Sequence, residues 1–65
     1  MGNEKGQGPE PGTLVEITSK LPAHRWFYGT PGLVVGPDLD GQFSVRPNKS
    51  PGEVLHLYPA EMQPA

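Results

Sequence analysis

Two aspartates and two histidines are the residues of this chain whose types and spacing first suggest chemistry. Asp38 and Asp40 flank a single residue and precede a glycine, a spacing that invites a calcium loop. An EF-hand loop beginning at Asp38 would need a bidentate Glu at its twelfth position, where the chain has Lys49. The same spacing is typical of a tight turn that reverses the chain into a β-hairpin. We therefore expect a turn here and no calcium site.

His24 and His56 are the only histidines, and the chain has no cysteine. A zinc site takes three or four protein ligands, so one copy of the chain lacks the donors for it. The absence of cysteine also excludes disulfides and a cysteine nucleophile. We expect no bound metal.

Three consecutive aromatic residues, Trp26, Phe27 and Tyr28, follow Arg25. Three neighbours cannot all point the same way, so we expect at least one in the core and at least one in solvent. One interpretation is that the cluster simply plugs the open end of a small barrel. The other is a recognition surface for a peptide or a flat ring, because aromatic side chains beside an arginine are effective anchors.

Residues 53–58 read as a strand whose two faces differ in character. Alternation places Leu55 and Leu57 on one face and Val54, His56 and Tyr58 on the other. The leucine pair is the natural core face. The remaining three side chains then form an outward stripe that is unusually apolar for a monomer and that a symmetric oligomer would bury.

Short runs of β-forming residues, each closed by Gly, Pro or Asp, supply the elements that position these side chains. They predict strands over residues 13–18, 33–35, 42–46 and 53–58, followed by one helical turn over residues 59–62. Gly or Pro interrupts every longer stretch, so no helix of two turns fits. We expect an all-β fold, a small SH3-like barrel of four to five short antiparallel strands with one short terminal helical turn.

The domain boundaries follow from the same composition. Residues 1–12 have no aliphatic side chain after Met1 and are expected to form a flexible N-terminal arm. The barrel then occupies residues 13–62, with a long first loop over residues 19–30, and residues 63–65 form a C-terminal tail. The 65 residues include 9 Gly and 9 Pro, so the core is small, and a barrel without disulfides often gains stability by oligomerisation.

Charge and hydropathy limit the partners. Seven acidic residues outnumber five basic ones, for a net charge of -2, which leaves no basic footprint for nucleic acid. No apolar run approaches the length of a membrane span, and no signal-peptide core follows Met1. We expect a cytoplasmic protein without a membrane partner.

Two segments resemble the type B dihydrofolate reductases, small trimethoprim-insensitive enzymes. They are the Gly-Leu-Val-Val-Gly run that begins at Gly32 and the Pro-Gly-Glu-Val-Leu-His-Leu-Tyr-Pro-Ala run over residues 51–60. The resemblance extends from Gly12 to Met62, about three quarters of the chain. Its more specific part is Pro-Gly-x-Val followed by Tyr-Pro-Ala.

The resemblance implies a function and a set of site residues. In that family four SH3-like barrels surround one pore, which is the active site, so it implies a homotetramer that reduces dihydrofolate with NADPH. The pore would bring hydride donor and acceptor together by positioning alone. Catalytic roles would fall to His56, Leu57 and Tyr58, and these three with Leu55 would contact the cofactor.

The chain departs from the family at four places. Thr30 stands where the family has a Trp before its second strand, a packing role that Trp26 could take over. His56 stands where the family has Gln, Ile17 falls where the family has a pore Lys, and one extra residue separates Val54 from Tyr58. Alternation puts Leu57 in the core, whereas the resemblance puts it in the pore. A β-bulge in the fourth strand would reconcile the two.

A second class of function competes for the same chain. Residues 27–32 are similar to the entry of strand two in photosynthetic electron-transfer subunits that dock ferredoxin. Such barrels bind partners and do no chemistry. The alternative to the reductase is therefore a non-catalytic interaction or assembly module whose partner-binding residues are Arg25, Trp26, Phe27 and Tyr28.

Overall fold

The structure, a computed structural model, describes residues 8–65 and has five short strands. They are β1 (Leu14–Ile17), β2 (Pro31–Pro37), β3 (Phe43–Pro47), β4 (Leu55–Leu57) and β5 (Met62–Pro64). All pairs are antiparallel, in the order β4-β3-β2-β1-β5, and the sheet curls into a half-barrel. The predicted all-β class, with short antiparallel strands and one short terminal helical turn, is confirmed.

Three short 3-10 helices connect the strands, at Pro22–Phe27, Leu39–Gly41 and Pro59–Glu61. The last is the predicted terminal turn, with Pro59 at its start and the Tyr58 N–H donating to Glu61 Oε1 at 2.9 Å. The first lies inside what the sequence predicted as an irregular loop. Its residues form single-turn i to i+3 bonds, such as His24 N to Leu21 O at 2.9 Å, which leave no helical periodicity to detect.

The core lies on the concave face of the sheet. Alternate residues of the strands point into it, as the period of two requires. Its members are Val15, Ile17, Phe27, Val34, Val45, Leu55, Leu57 and Met62, with Phe43 packed against them. Eight buried apolar side chains are a small core, as the composition indicated.

The Asp-x-Asp-Gly segment forms the predicted hairpin turn between β2 and β3. Asp38 and Gln42 bond across its base, N to O, at 2.7 Å. Asp40 and Gly41 have φ of 58° and 79°, the left-handed region that Asp tolerates and Gly adopts without strain. The turn interpretation of this motif is confirmed.

Both ends of the chain differ from the predicted boundaries. Gln63 and Pro64, assigned to a C-terminal tail, lie in β5 opposite Glu16 and Val15 of β1. Within the predicted arm, the Gly12 N–H donates to Val34 O at 2.7 Å, which ties the segment to β2. Residues 1–7 of the predicted arm lie outside the described residues.

The β-bulge expected in the fourth strand is not there. β3 and β4 pair in continuous register, Phe43 with Leu57, Ser44 with His56, and Val45 with Leu55. The irregularity lies in β2, where the register with β3 shifts between Val34 and Gly36. β4 itself is shorter than the predicted strand and covers only Leu55–Leu57.

Gly32 lies in β2 where core side chains leave no room for a Cβ atom. A Cβ at this position would lie 2.7 Å from Val45 Cγ1 and 3.2 Å from Ile17 Cδ1. Both neighbours are fully buried, and the β-branched Val45 has little rotamer freedom to move aside. We expect Gly32→Ala to destabilise the protein by about 1–3 kcal/mol through overpacking, measured by urea unfolding.

The matched control is Gly36→Ala, a second glycine of β2. A Cβ there meets no atom within 4 Å, and its φ lies outside the left-handed region. We expect this variant to unfold within about 0.5 kcal/mol of the wild type. Equal stability of the two variants would contradict the packing argument.

Candidate functional site

The three consecutive aromatic residues divide as predicted between core and solvent. Phe27 is 4% exposed, whereas Trp26 is 59% exposed and Tyr28 is 50% exposed. The expectation that Phe27 binds a partner is therefore wrong, because its ring belongs to the core. Arg25, Trp26 and Tyr28 remain on the outside. We call these three residues the aromatic surface.

Backbone hydrogen bonds attach the loop that carries the aromatic surface to β1. The Gly29 N–H donates to Ile17 O at 2.7 Å, and the Ile17 N–H donates to Thr30 O at 2.9 Å, so the loop closes on the end of β1. Thr30 Oγ1 donates to Phe27 O at 2.6 Å. These hydrogen bonds and the burial of the Phe27 ring fix the backbone that carries Trp26 and Tyr28.

Lys49, in the loop between β3 and β4, adds a contact from the other side. Its Nζ donates to Trp26 O at 2.7 Å and lies 4.3 Å from the centroid of the Trp26 ring. A cation over an exposed indole contributes about 0.5–1 kcal/mol. The Phe27 ring meets Trp26 in a T-shaped arrangement, with centroids 5.0 Å apart. The indole is thus oriented by a cation and by a buried ring.

His24 has a structural partner within the same loop. Its Nδ1 forms a 2.7 Å hydrogen bond with Oγ of Ser19, the one buried polar residue of the described chain. A buried hydroxyl without a partner is costly, so this contact satisfies Ser19 and ties the loop to the end of β1.

The three residues predicted to face outward from the fourth strand are exposed, although Val54 and Tyr58 lie just outside β4. Val54 and Tyr58 are 43% and 45% exposed, and His56 is exposed between them. Leu55 and Leu57 are buried on the opposite face. We call Val54, His56 and Tyr58 the outer stripe.

The residues that the resemblance assigns to the reductase pore therefore separate into two groups. His56 and Tyr58 face outward, where a pore between copies would require them. Leu55 and Leu57 belong to the core and do not reach a ligand on the outer face. The carboxylate of Asp38 lies against His56 and already occupies one of its ring nitrogens. These residues of one chain do not fit a complete NADPH site.

Asp38 joins His56 in a small polar cluster that the sequence analysis missed. Asp38 Oδ2 accepts a hydrogen bond from His56 Nδ1 and another from Ser44 Oγ at 3.2 Å, while Oδ1 accepts from the Leu39 N–H at 2.8 Å. The signal was present only in the strand register, because Ser44 lies opposite His56 and the hairpin turn brings Asp38 beside both.

In this cluster the carboxylate of Asp38 orients the imidazole of His56. The hydrogen bond from His56, followed by that from the Leu39 N–H, holds the pKa of the Asp38 carboxyl below its ordinary value of 3.8. A carboxylate on Nδ1 orients an imidazole and leaves Nε2 free. Ser44 Oγ bonds to the carboxylate and not to the imidazole, so the cluster lacks the serine–histidine contact of a nucleophilic triad.

An open groove of about 380 Å³ lies along β1 and β5. It is lined by Gly8, Pro9, Thr13, Val15, Pro59, Met62, Gln63 and Pro64. None of the predicted site residues lines it, so the groove is separate from both the aromatic surface and the outer stripe.

No family model, curated protein or solved structure matches this chain at a significant level. Within residues 8–65, no three His, Cys, Asp or Glu side chains gather in a way that could hold a metal ion. The same residues contain no helix with the length and apolar character that crossing a membrane requires. The function must therefore be argued from the side chains themselves.

The Asp38 cluster makes stability depend on pH in the acid range. A folded pKa below the unfolded value means that the unfolded chain binds more protons, so the ionised carboxyl stabilises the fold above about pH 4. That stabilisation is lost as the pH falls through the folded pKa. We expect the urea midpoint of the wild type to exceed that of Asp38→Asn near pH 5 and to approach it towards about pH 2.

Asp40→Asn is the control for this measurement. Asp40 lies on the same turn but takes no part in the hydrogen bonds around His56. A difference between wild type and Asp38→Asn that stays constant over the whole acid range would contradict the assignment of the stabilising role to ionised Asp38.

Proposed function

We propose that this chain is a non-catalytic protein-interaction module that binds its partner through the aromatic surface. The observation that carries the proposal is the exposure of Trp26 and Tyr28, at 59% and 50%, on a loop whose base is hydrogen-bonded to the core strand β1. Large rings are exposed on a fixed support, which is the arrangement a docking surface needs.

The residue types support this proposal. Trp, Tyr and Arg are the residues most enriched among those that dominate binding energy at protein interfaces. Binding costs conformational entropy when a loop must first be ordered. Here the Gly29 and Thr30 bonds to Ile17, together with the buried ring of Phe27, order the backbone before any partner arrives. The contact with Lys49 orients the indole as well.

The test begins with selection of linear peptides from a random display library on the full chain. We expect Trp26→Ala and Tyr28→Ala each to weaken binding of the selected peptides about tenfold or more, because each removes an anchor worth roughly 2 kcal/mol. Affinity is measured by titration calorimetry, and circular dichroism establishes that each variant folds. Both side chains are at least half exposed, and the contact with the core that Trp26→Ala removes is the one with the Phe27 ring.

The matched control is Leu39→Ala. Leu39 is a 76% exposed apolar side chain on the hairpin turn, at the opposite end of the sheet. Its removal should leave peptide affinity within about twofold. If no peptide is enriched, or if the selected peptides bind Trp26→Ala as tightly as the wild type, the aromatic surface is not the binding site.

An oligomeric type B-like dihydrofolate reductase is the second candidate function. One observation favours it: Val54, His56 and Tyr58 form an exposed outer stripe, which is what a pore shared between four copies would require. The burial of Leu55 and Leu57, which keeps both side chains from the outer face, counts against it, and so does the engagement of His56 Nδ1 by Asp38. We rank it below the interaction module for these reasons.

The reductase candidate makes its own prediction. A homotetramer that uses the outer stripe should oxidise NADPH with dihydrofolate, should keep its rate in trimethoprim, and should lose activity in His56→Ala. Light scattering gives the mass, and absorbance of NADPH gives the rate. A monomer, or a tetramer without turnover, would exclude this candidate.

A further inference from the structure

The charges of the described chain are segregated between the two ends of the sheet. β1 ends and β2 begins at one end, where β3 also ends and β4 begins, because all pairs are antiparallel. Every lysine and arginine of residues 8–65 lies at or within one residue of this end. They are Lys20, Arg25, Arg46 and Lys49. We call this the basic end.

The acidic residues are distributed differently. Glu10, Asp38 and Asp40 lie at the opposite end, before β1 and in the β2–β3 turn. The basic end has three carboxylates, those of Glu16, Glu53 and Glu61, and Glu16 accepts a hydrogen bond from Gln63 Nε2 at 3.0 Å. Glu61 is engaged by the N–H of Tyr58. The aromatic surface therefore lies at an end with four cations and three carboxylates, although the whole chain has a net charge of -2.

The combination of rings and cations selects the chemistry of the partner. Arg25 belongs to the same 3-10 helix as Trp26, and Lys49 lies directly over the indole. We infer that the aromatic surface binds an acidic peptide segment, one whose carboxylates pair with Arg25 and Lys49 while an apolar side chain packs on Trp26 and Tyr28. This inference rests on the proposed interaction function and names its partner class.

A single-stranded nucleic acid is also anionic, but the geometry favours carboxylates. Nucleobases bind such surfaces by stacking on a free aromatic face. The ammonium of Lys49 occupies one face of Trp26 at 4.3 Å from the ring centroid, and Phe27 makes a T-shaped contact with the same ring. A carboxylate pairs with Lys49 without displacing it, whereas a base stacked on that same face of the indole would have to displace it.

The opposite end contributes to specificity through repulsion. Complementary potentials steer a charged partner to the correct face, and like charges disfavour the wrong one. An acidic segment is attracted to the basic end and repelled from the turn that carries Asp38 and Asp40. The segregation thus sets the orientation of approach.

Trp26 provides a direct readout, since it is the only tryptophan of the chain. The full chain is titrated with a short synthetic peptide in which Glu residues surround a pair of Leu, and with a matched peptide that has Gln for each Glu. We expect the acidic peptide to change the Trp26 fluorescence and to bind about tenfold more tightly at low salt. The difference should disappear towards about 1 M salt, where screening is nearly complete.

Two variants locate the charge effect. Arg25→Gln should weaken the acidic peptide about threefold or more and weaken the Gln peptide by a smaller factor, because the interfacial ion pair contributes only to the charged ligand. Asp40→Asn, which removes a charge at the opposite end and keeps a residue that tolerates the left-handed turn, should not weaken either peptide and should keep the preference for the acidic one.

The outcomes separate this inference from the function on which it rests. Equal binding of the two peptides, or tighter binding of an oligothymidylate than of the acidic peptide, would overturn the acidic partner. The acidic partner would also be overturned if neither synthetic peptide binds while library-selected peptides still bind through Trp26. In that case the interaction function would stand. Failure of every peptide would remove the interaction function as well.

Discussion

Two backbone hydrogen bonds at Ile17 join the core of this protein to its aromatic surface. The side chain of Ile17 is fully buried, while its N–H donates to Thr30 and its carbonyl accepts from Gly29. The residue also packs beside Gly32, where a side chain would not fit. One position therefore closes the first loop, fills the core and fixes the start of β2. The exposed rings of the loop depend on this closure for their orientation.

The small size of the domain explains why so many polar contacts surround the loops. Eight buried apolar side chains form the core, and the chain has no cysteine to cross-link it. Single contacts such as Lys49 with Trp26, Ser19 with His24 and Asp38 with His56 each tie a loop or turn to a neighbouring residue. In a domain of this size such contacts decide the conformation of the loops, because the buried area alone is limited.

The two exposed surfaces differ in how they are supported. The aromatic surface combines half-exposed rings with neighbouring cations. The outer stripe combines an oriented imidazole with two apolar neighbours and an adjacent carboxylate. The first arrangement is suited to binding an anionic partner with an apolar group. The second holds the hairpin turn against β4, since Asp38 receives hydrogen bonds from Leu39, Ser44 and His56 together.

Local patterns were sufficient to predict the strand alternation, the turn at Asp38 and the exposure of Val54, His56 and Tyr58. These features depend on periods of two and on residues that favour particular φ values, both of which are visible in a short stretch of sequence. The division of the aromatic residues, with at least one buried and at least one exposed, was predicted for the same reason. Which of the three is buried was not.

The remaining features were decided by tertiary structure, because they depend on residues distant in sequence. β5 forms only by pairing with β1, and neither Gln63 nor Pro64 has a strong strand preference of its own. Asp38 contacts His56 because β3 pairs Ser44 opposite His56 in β4 and the hairpin turn brings Asp38 beside both. Phe27, rather than its neighbours, enters the core because two backbone hydrogen bonds set the orientation of the loop. In these bonds the Gly29 N–H donates to Ile17 O, and the Ile17 N–H donates to Thr30 O. The sequence by itself determined the alternation and the turns, whereas long-range pairing determined which side chains share a surface.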